Sequence, residues 1–319
     1  MNPDKRMALN IGGLEFKSPL FIASGVWPMD SAEWPDGALN GVGGFCTKGL
    51  TLRPKRGNPG IRVWETPCGV MNSIGLQNPG IKAFLDQEYR QLEKAGKPVI
   101  FNLSFETEEE LLLLLGYIMD AAGNVPVELN VSCPNVSKGG LSWAQDVNAL
   151  ERVVTLAKRN WKGLLWVKLS PNVSSFTETA LAAEKSGADA VVVANTWLGT
   201  AIDVSRFEPV FDNIHAGLSG PAVFPLALRL VWETYAAVKI PVIASGGVCT
   251  WQDAALMIAA GASAVQVGSA LFSDILATAK MYEGLSSLLE KRNIGSVADL
   301  TGIAHGRRRD TNREDLRHG

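Results

Sequence analysis

The sequence predicts an α/β fold, a (β/α)8 TIM barrel, and three observations lead there. Short apolar runs rich in β-branched residues alternate with longer stretches of helical period, the pattern of parallel strands joined by crossover helices. Eight such runs can be counted, which suits a closed barrel better than an open doubly wound sheet. At two joints, Gly187-Ala-Asp189 and Gly261-Ala-Ser263, a glycine stands where a helix C-cap turns into the next strand. The 319 residues, 46% of them hydrophobic, are enough for one large core. One domain over 1–319 is therefore expected, with 299–319 as a charged tail containing Arg307-Arg308-Arg309.

Taken in order, Leu9-Asn-Ile-Gly-Gly-Leu-Glu-Phe16 alternates around Gly12-Gly13 and predicts a hairpin that plugs the barrel floor. Barrel strands are expected at 20–23, 44–47, 99–103, 127–131, 165–169, 190–194, 242–244 and 264–267. The connections over 48–98 and 195–241 are too long for bare crossovers. Both leave the C-terminal ends of strands, where barrel sites lie, so they are expected to cap that face.

Charge and cysteine usage exclude several classes. A net charge of −2 gives no electrostatic footprint for nucleic acid or an anionic membrane. Cys46, Cys68, Cys133 and Cys249 are scattered without a C-x-x-C pair, which argues against disulfides and against zinc or an iron–sulfur cluster held by this chain alone. The N-terminus lacks the apolar segment of a signal peptide, and the run Leu111–Leu115 is far too short to span a bilayer. A cytoplasmic enzyme is expected.

The predicted strand ends carry Ser24, Lys48, Asn102, Asn130, Lys168, Asn195, Gly246-Gly247 and Gly268-Ser269. Any one of these is an ordinary turn residue. A ring of lysines and asparagines is not what fills a purely structural barrel, so the ring predicts a ligand site. Glycines after strands seven and eight predict a phosphate site on backbone N–H groups, against the plainer reading of a tight turn. Asn72-Ser-Ile-Gly-Leu76 is, from its composition, equally a surface loop or a loop packed over a small polar ligand.

Asn130-Val-Ser-Cys133-Pro-Asn135 follows the fourth strand directly. Pro134 neither donates to a ladder nor continues a helix, so the thiol of Cys133 is expected on a loop. A cysteine within an apolar strand is usually inert core. This one is flanked by Ser132, Ser137, Lys138 and Gly139-Gly140, which favours a reactive thiol. The three histidines, His215, His305 and His318, follow no predicted strand, leaving Cys133, Lys48 or Lys168 for general-base duty.

Together these residues resemble the class 1 dihydroorotate dehydrogenases. The likeness runs over Ala23-Ser-Gly25, Thr47-Lys-Gly49, Gly57-Asn-Pro59, Met71-Asn-Ser-Ile-Gly-Leu-Gln-Asn-Pro79, Leu129-Asn-Val-Ser-Cys-Pro-Asn135, Val167-Lys-Leu-Ser-Pro-Asn172, Leu218-Ser-Gly-Pro221, Ser245-Gly-Gly247 and Val265-Gln-Val-Gly268. Cysteine rather than serine at position 133 marks class 1, and Gly217-Leu-Ser-Gly-Pro-Ala222 with Leu226-Ala-Leu-Arg229 looks most like class 1B. Val26-Trp-Pro-Met-Asp30, Phe101-Asn-Leu-Ser104 and the charged end after Ala298 depart from the family pattern.

The resemblance implies oxidation of (S)-dihydroorotate to orotate in de novo pyrimidine (UMP) biosynthesis. One FMN per chain would rest its phosphate on Gly246, Gly247, Gly268 and Ser269. Ser24, Gly49, Asn102, Ala194 and Gly220 would line the flavin, with Lys168 at its pyrimidine edge and Lys48 and Asn130 touching cofactor as well as substrate. Lys48, Asn72, Ser73, Ile74, Gly75, Leu76, Asn130, Asn195 and Thr196 would hold dihydroorotate, and Cys133 would take the C5 proton as hydride leaves C6 for flavin N5. A homodimer is implied, each copy meeting a subunit with FAD and a 2Fe–2S cluster that passes electrons to NAD, a heterotetramer in all. Two other readings stay open: an FMN-dependent reductase of uracil or thymine like dihydropyrimidine dehydrogenase, and a Schiff-base aldolase using Lys168.

Overall fold

The computed structural model describes residues 3–28, 33–132 and 142–306. The N-terminal hairpin pairs β1 (Leu9–Ile11) with β2 (Leu14–Phe16) antiparallel around Gly12-Gly13, as the alternation predicts. The chain then forms β3 (Leu20–Ile22) and β4 (Gly44–Cys46) and makes a first excursion through β5 (Val63–Thr66) and β6 (Gly69–Asn72). Next come β7 (Val99–Leu103), β8 (Val127–Asn130), β9 (Leu165–Lys168) and β10 (Ala190–Val193). A second excursion supplies β11 (Trp197–Thr200), β12 (Ile202–Asp203), β13 (Glu208–Pro209) and β14 (His215–Ser219), before β15 (Val242–Ser245) and β16 (Ala262–Val267).

Strands β3, β4, β7, β8, β9, β10, β15 and β16 are all parallel and close into a barrel, with β16 pairing back onto β3. Helices between them have identifiable starts. Thr107 accepts from the Glu110 N–H to cap 108–122, Asp146 caps 147–160, and Thr250 and Asp253 form a reciprocal capping box ahead of 251–259. Each helix turns an apolar stripe such as Leu111, Leu114, Leu115 and Ile118 onto the strands.

The hairpin closes the floor. Phe16 is wholly buried, its ring 5.0 Å from that of Phe21 and 6.1 Å from that of Trp166. Burying such a ring contributes about 2–3 kcal/mol. Most strands end a residue or so earlier than the apolar runs suggest, so Ala23, Thr47, Val131, Leu169 and Ala194 stand just past the ladder. There the chain turns away from its neighbours to build loops.

The two excursions meet. A four-stranded antiparallel sheet of order β11-β14-β6-β5 pairs Asn72 with Gly217 and Met71 with Leu218 over the barrel mouth. This is the expected cap, made as a sheet. The charged-tail expectation needs moving: within 299–306, Leu300 is buried, and His305 stacks on Trp232 with centroids 3.6 Å apart and meets the Ala260 carbonyl at 3.0 Å. Apolar and aromatic packing there outweighs the local charge density. Arg307-Arg308-Arg309 lie outside the described residues.

Candidate active site

Between the strand ends and the four-stranded cap lies a cavity of about 870 Å³, within the range that holds an organic cofactor with a small substrate. Of the residues singled out in the sequence, Ser24, Lys48, Gly49, Asn102, Asn130, Lys168, Ala194, Asn195, Thr196, Gly246, Gly247, Gly268 and Ser269 all line it. So does the whole Asn72–Leu76 segment, a loop that roofs the cavity. Gly220 does not line it. A Cβ there would stand 2.6 Å from the Gly69 Cα, so Gly220 (φ +100°) is needed for the close approach of two backbones, and Ser219 takes its place on the wall. Cys133 lies outside the described residues; the chain is described up to Ser132, which lines the cavity.

The two lysines differ in kind. Lys168 is buried, donates to Gln266 Oε1 at 2.9 Å and stands 3.7 Å from Glu128 Oε1. Lys48 is half-buried, and burial lowers its pKa from the ordinary lysine value. Among the described residues it has no carboxylate partner. A partly desolvated ammonium without a counter-ion is a site for an anionic group.

Asparagines in and beside the cavity are tied to one another and to the cap. Asn195 donates to Asn130 Oδ1 at 3.2 Å, and Asn130 donates to Ser104 Oγ at 3.3 Å. Asn58 braces the roof loop, donating to the Ser73 carbonyl at 3.1 Å and to its Oγ at 2.9 Å. Asn172 ties barrel to cap by donating to the Thr196 carbonyl and accepting from the Leu198 N–H, both at 3.0 Å. His215 sits at the rim, its Nδ1 2.7 Å from Thr200 Oγ1, and is exposed.

Two features test the fit to a flavin phosphate and ring. Gly246 (φ +134°) and Gly247 (φ +73°) leave their N–H groups without a hydrogen bond among the described residues, and a Cβ on Gly247 would meet the Phe224 nitrogen at 2.5 Å. That is a backbone cradle of the kind phosphates occupy. Asn102 Oδ1 is buried with no partner among the described residues, an acceptor suited to an N–H. The donor set fits FMN.

Glu128 and Gln266 escape the sequence reading. Glu128 is wholly buried, accepting from Asn102 Nδ2 and Gln266 Nε2, each at 2.5 Å. A signal exists: Glu128 is two residues before Asn130 on one strand, so both face the same side.

The family model described as dihydroorotate dehydrogenase matches residues 6–289. The chain is 41% identical to the "Dihydroorotate dehydrogenase B (NAD(+)), catalytic subunit" of Petrotoga mobilis, over 92% of this chain and 98% of that one. It is 42% identical to the protein of the same name from Desulforamulus reducens, over 94% and 98%. A protein of Aquifex aeolicus, provisionally named as a dihydroorotate dehydrogenase A (fumarate), is 41% identical over 94% and 98%.

Proposed function

The chain belongs to the dihydroorotate dehydrogenase family, and on that footing we propose that it oxidises (S)-dihydroorotate to orotate for pyrimidine biosynthesis, using FMN. The observation that carries this reading is Lys48, a partly buried cation with no carboxylate partner among the described residues, in a cavity also lined by Asn72, Asn130 and Asn195. A small planar anion with amide edges needs that mixture.

Bound FMN supplies the hydride acceptor for C6 of the substrate. Lys48 binds the substrate carboxylate, and the asparagines orient its ring by accepting and donating at its amide edges. Cys133, whose place in the chain directly follows Ser132, takes the proton from C5. No histidine follows a barrel strand, and the two lysines have other roles here, which leaves the thiol as the base. The cap built by β6 and β14 restricts water at the reacting carbons, which keeps a weak base effective.

The acceptor is read as NAD, reached through a second subunit carrying FAD and a 2Fe–2S cluster, with this chain as a homodimer in a heterotetramer. The relatives named as catalytic subunits support a partner. Among the described residues no helix is long and apolar enough to cross a membrane.

Neither other reading gains support. Lys168 is engaged with Gln266 and Glu128, unlike a free Schiff-base amine, and uracil carries no carboxylate for Lys48. Anaerobic addition of dihydroorotate to the purified yellow protein should bleach the flavin, and uracil with any reductant should leave no dihydrouracil. A flavin that dihydroorotate does not bleach would sink the reading. Efficient NAD reduction by the chain alone would remove the partner, and efficient fumarate reduction would replace NAD as acceptor.

A further inference from the structure

Glu128 is a fully buried carboxylate that none of the roles above uses. Asn102 Nδ2 donates to its Oε1 and Gln266 Nε2 to its Oε2, both at 2.5 Å. Lys168 Nζ stands 3.7 Å from Oε1, and the buried Cys46 thiol donates to Oε2 at 3.7 Å. Residues of β4, β7, β9 and β16 thus converge on one side chain of β8, directly below the cavity.

The chemistry of the partners makes that convergence directional. An amide has a donor end and an acceptor end, whereas a carboxylate only accepts. Facing Glu128, whose two oxygens only accept here, Asn102 presents Nδ2 to it, which leaves Oδ1 beside Gly49, where a Cβ would lie 3.2 Å away. Both residues line the cavity, and that oxygen has no partner among the described residues. Gln266 is pinned at both ends, accepting from Lys168 at 2.9 Å and donating to Glu128. The floor therefore shows an acceptor at 102 and a donor at 168.

We propose that Glu128 is a positioning residue that sets the polarity of this floor: it fixes which end of the Asn102 amide faces the bound ring and, through Gln266, holds Lys168 in place. The inference rests on the FMN reading. A flavin carries an N–H and carbonyl oxygens along one ring edge, which an acceptor beside a donor matches.

Glu128→Gln isolates the effect, because glutamine keeps the shape but must donate to one of the two amides. Gln266 cannot turn over without setting its NH₂ against the Lys168 ammonium, so Asn102 turns and offers the ring a donor. Adding Asn102→Asp repairs this: the new carboxylate accepts from the introduced amide with one oxygen, shows the other to the cavity, and keeps the pair's single negative charge.

Flavin-free wild-type, single and double variants are titrated with FMN, with thermal transitions recorded alongside. Glu128→Gln should fold but bind FMN at least about tenfold more weakly with altered flavin absorption bands, and the double variant should return to within roughly threefold of wild type. Wild-type affinity and spectrum in the single variant would overturn the proposal, as would a double variant no better than the single. If Glu128→Gln does not fold, the double variant decides alone, since it keeps a donor for every acceptor: failure to fold or to bind FMN overturns the proposal. A wild-type chain that takes up no FMN would instead overturn the reading on which this rests.

Discussion

Gly25 and Lys48 are fitted to one another: a Cβ on Gly25 would stand 3.0 Å from Lys48 Nζ and 3.2 Å from its Cδ. Gly25 also has φ of +80°, which an alanine adopts only at a cost of about 1–2 kcal/mol. Gly25→Ala should therefore push the lysine aside and weaken orotate binding about tenfold, roughly 1.4 kcal/mol, while FMN stays bound. Flavin absorbance titration with orotate measures this, and undiminished affinity would mean that Lys48 is not held by the close approach.

Lys48→Met should abolish orotate binding yet make the flavin-free protein more stable. Burial lowers the Lys48 pKa in the folded chain. Between that lowered value and the ordinary one the unfolded chain holds more protons, so stability rises with pH across that window. Below it the buried charge is a standing cost, which methionine removes. A gain of about 2 °C in the thermal transition at neutral pH is expected. In the wild type, orotate affinity should fall as pH rises through the same window, because the ammonium is lost. A lower transition temperature in the variant would contradict the account.

Lys168→Met should do the reverse. It leaves Glu128 buried without the only cation paired with it among the described residues, and breaking a buried pair by removing one partner costs about 3–5 kcal/mol. Denaturant titration of the two lysine variants side by side reads the contrast. Equal stabilities would show that the two lysines are not paired differently.

Cys133→Ser should fold and bind FMN, because the residue is assigned to proton transfer alone. The hydroxyl is a far weaker acid, and loss of a positioned base costs on the order of 10²–10⁴ in rate at neutral pH. Stopped-flow reduction by dihydroorotate is the measurement, and unchanged single-turnover rates would take Cys133 out of the mechanism.

The barrel is legible because a buried parallel strand writes itself as an unbroken apolar run, and its end as the first polar residue. Ser24, Lys48, Asn195 and Ser269 can be picked out that way. Glu128 and Gln266 are hidden because each is a single polar residue inside an apolar run, where run-based reading smooths it away. The alternation of faces places Glu128 with Asn130 and Gln266 with Gly268. Gly220 shows a related ambiguity: a glycine beside a site serves a ligand, a neighbouring backbone or both, and the approach of Gly69 becomes visible only in the fold. The pairing of β6 with β14 cannot be read locally, since it joins segments about 145 residues apart, the separation of Asn72 from Gly217. The docked end at 299–306 is obscured because it is short and adjoins Arg307-Arg308-Arg309, so its anchors, Leu300 and His305, are read with the charged end.

That long-range pairing also bears on how the molecule is made. The first half of the cap emerges before six of the eight barrel strands exist, and its other half comes only after β10. During synthesis β5 and β6 must wait as an unpartnered hairpin with Val63 and Trp64 open to water. Contacts of such sequence separation form late. The substrate roof thus matures long after its first strands are made, so a nascent or damaged copy that has built its wall but not its seam should fail to hold orotate.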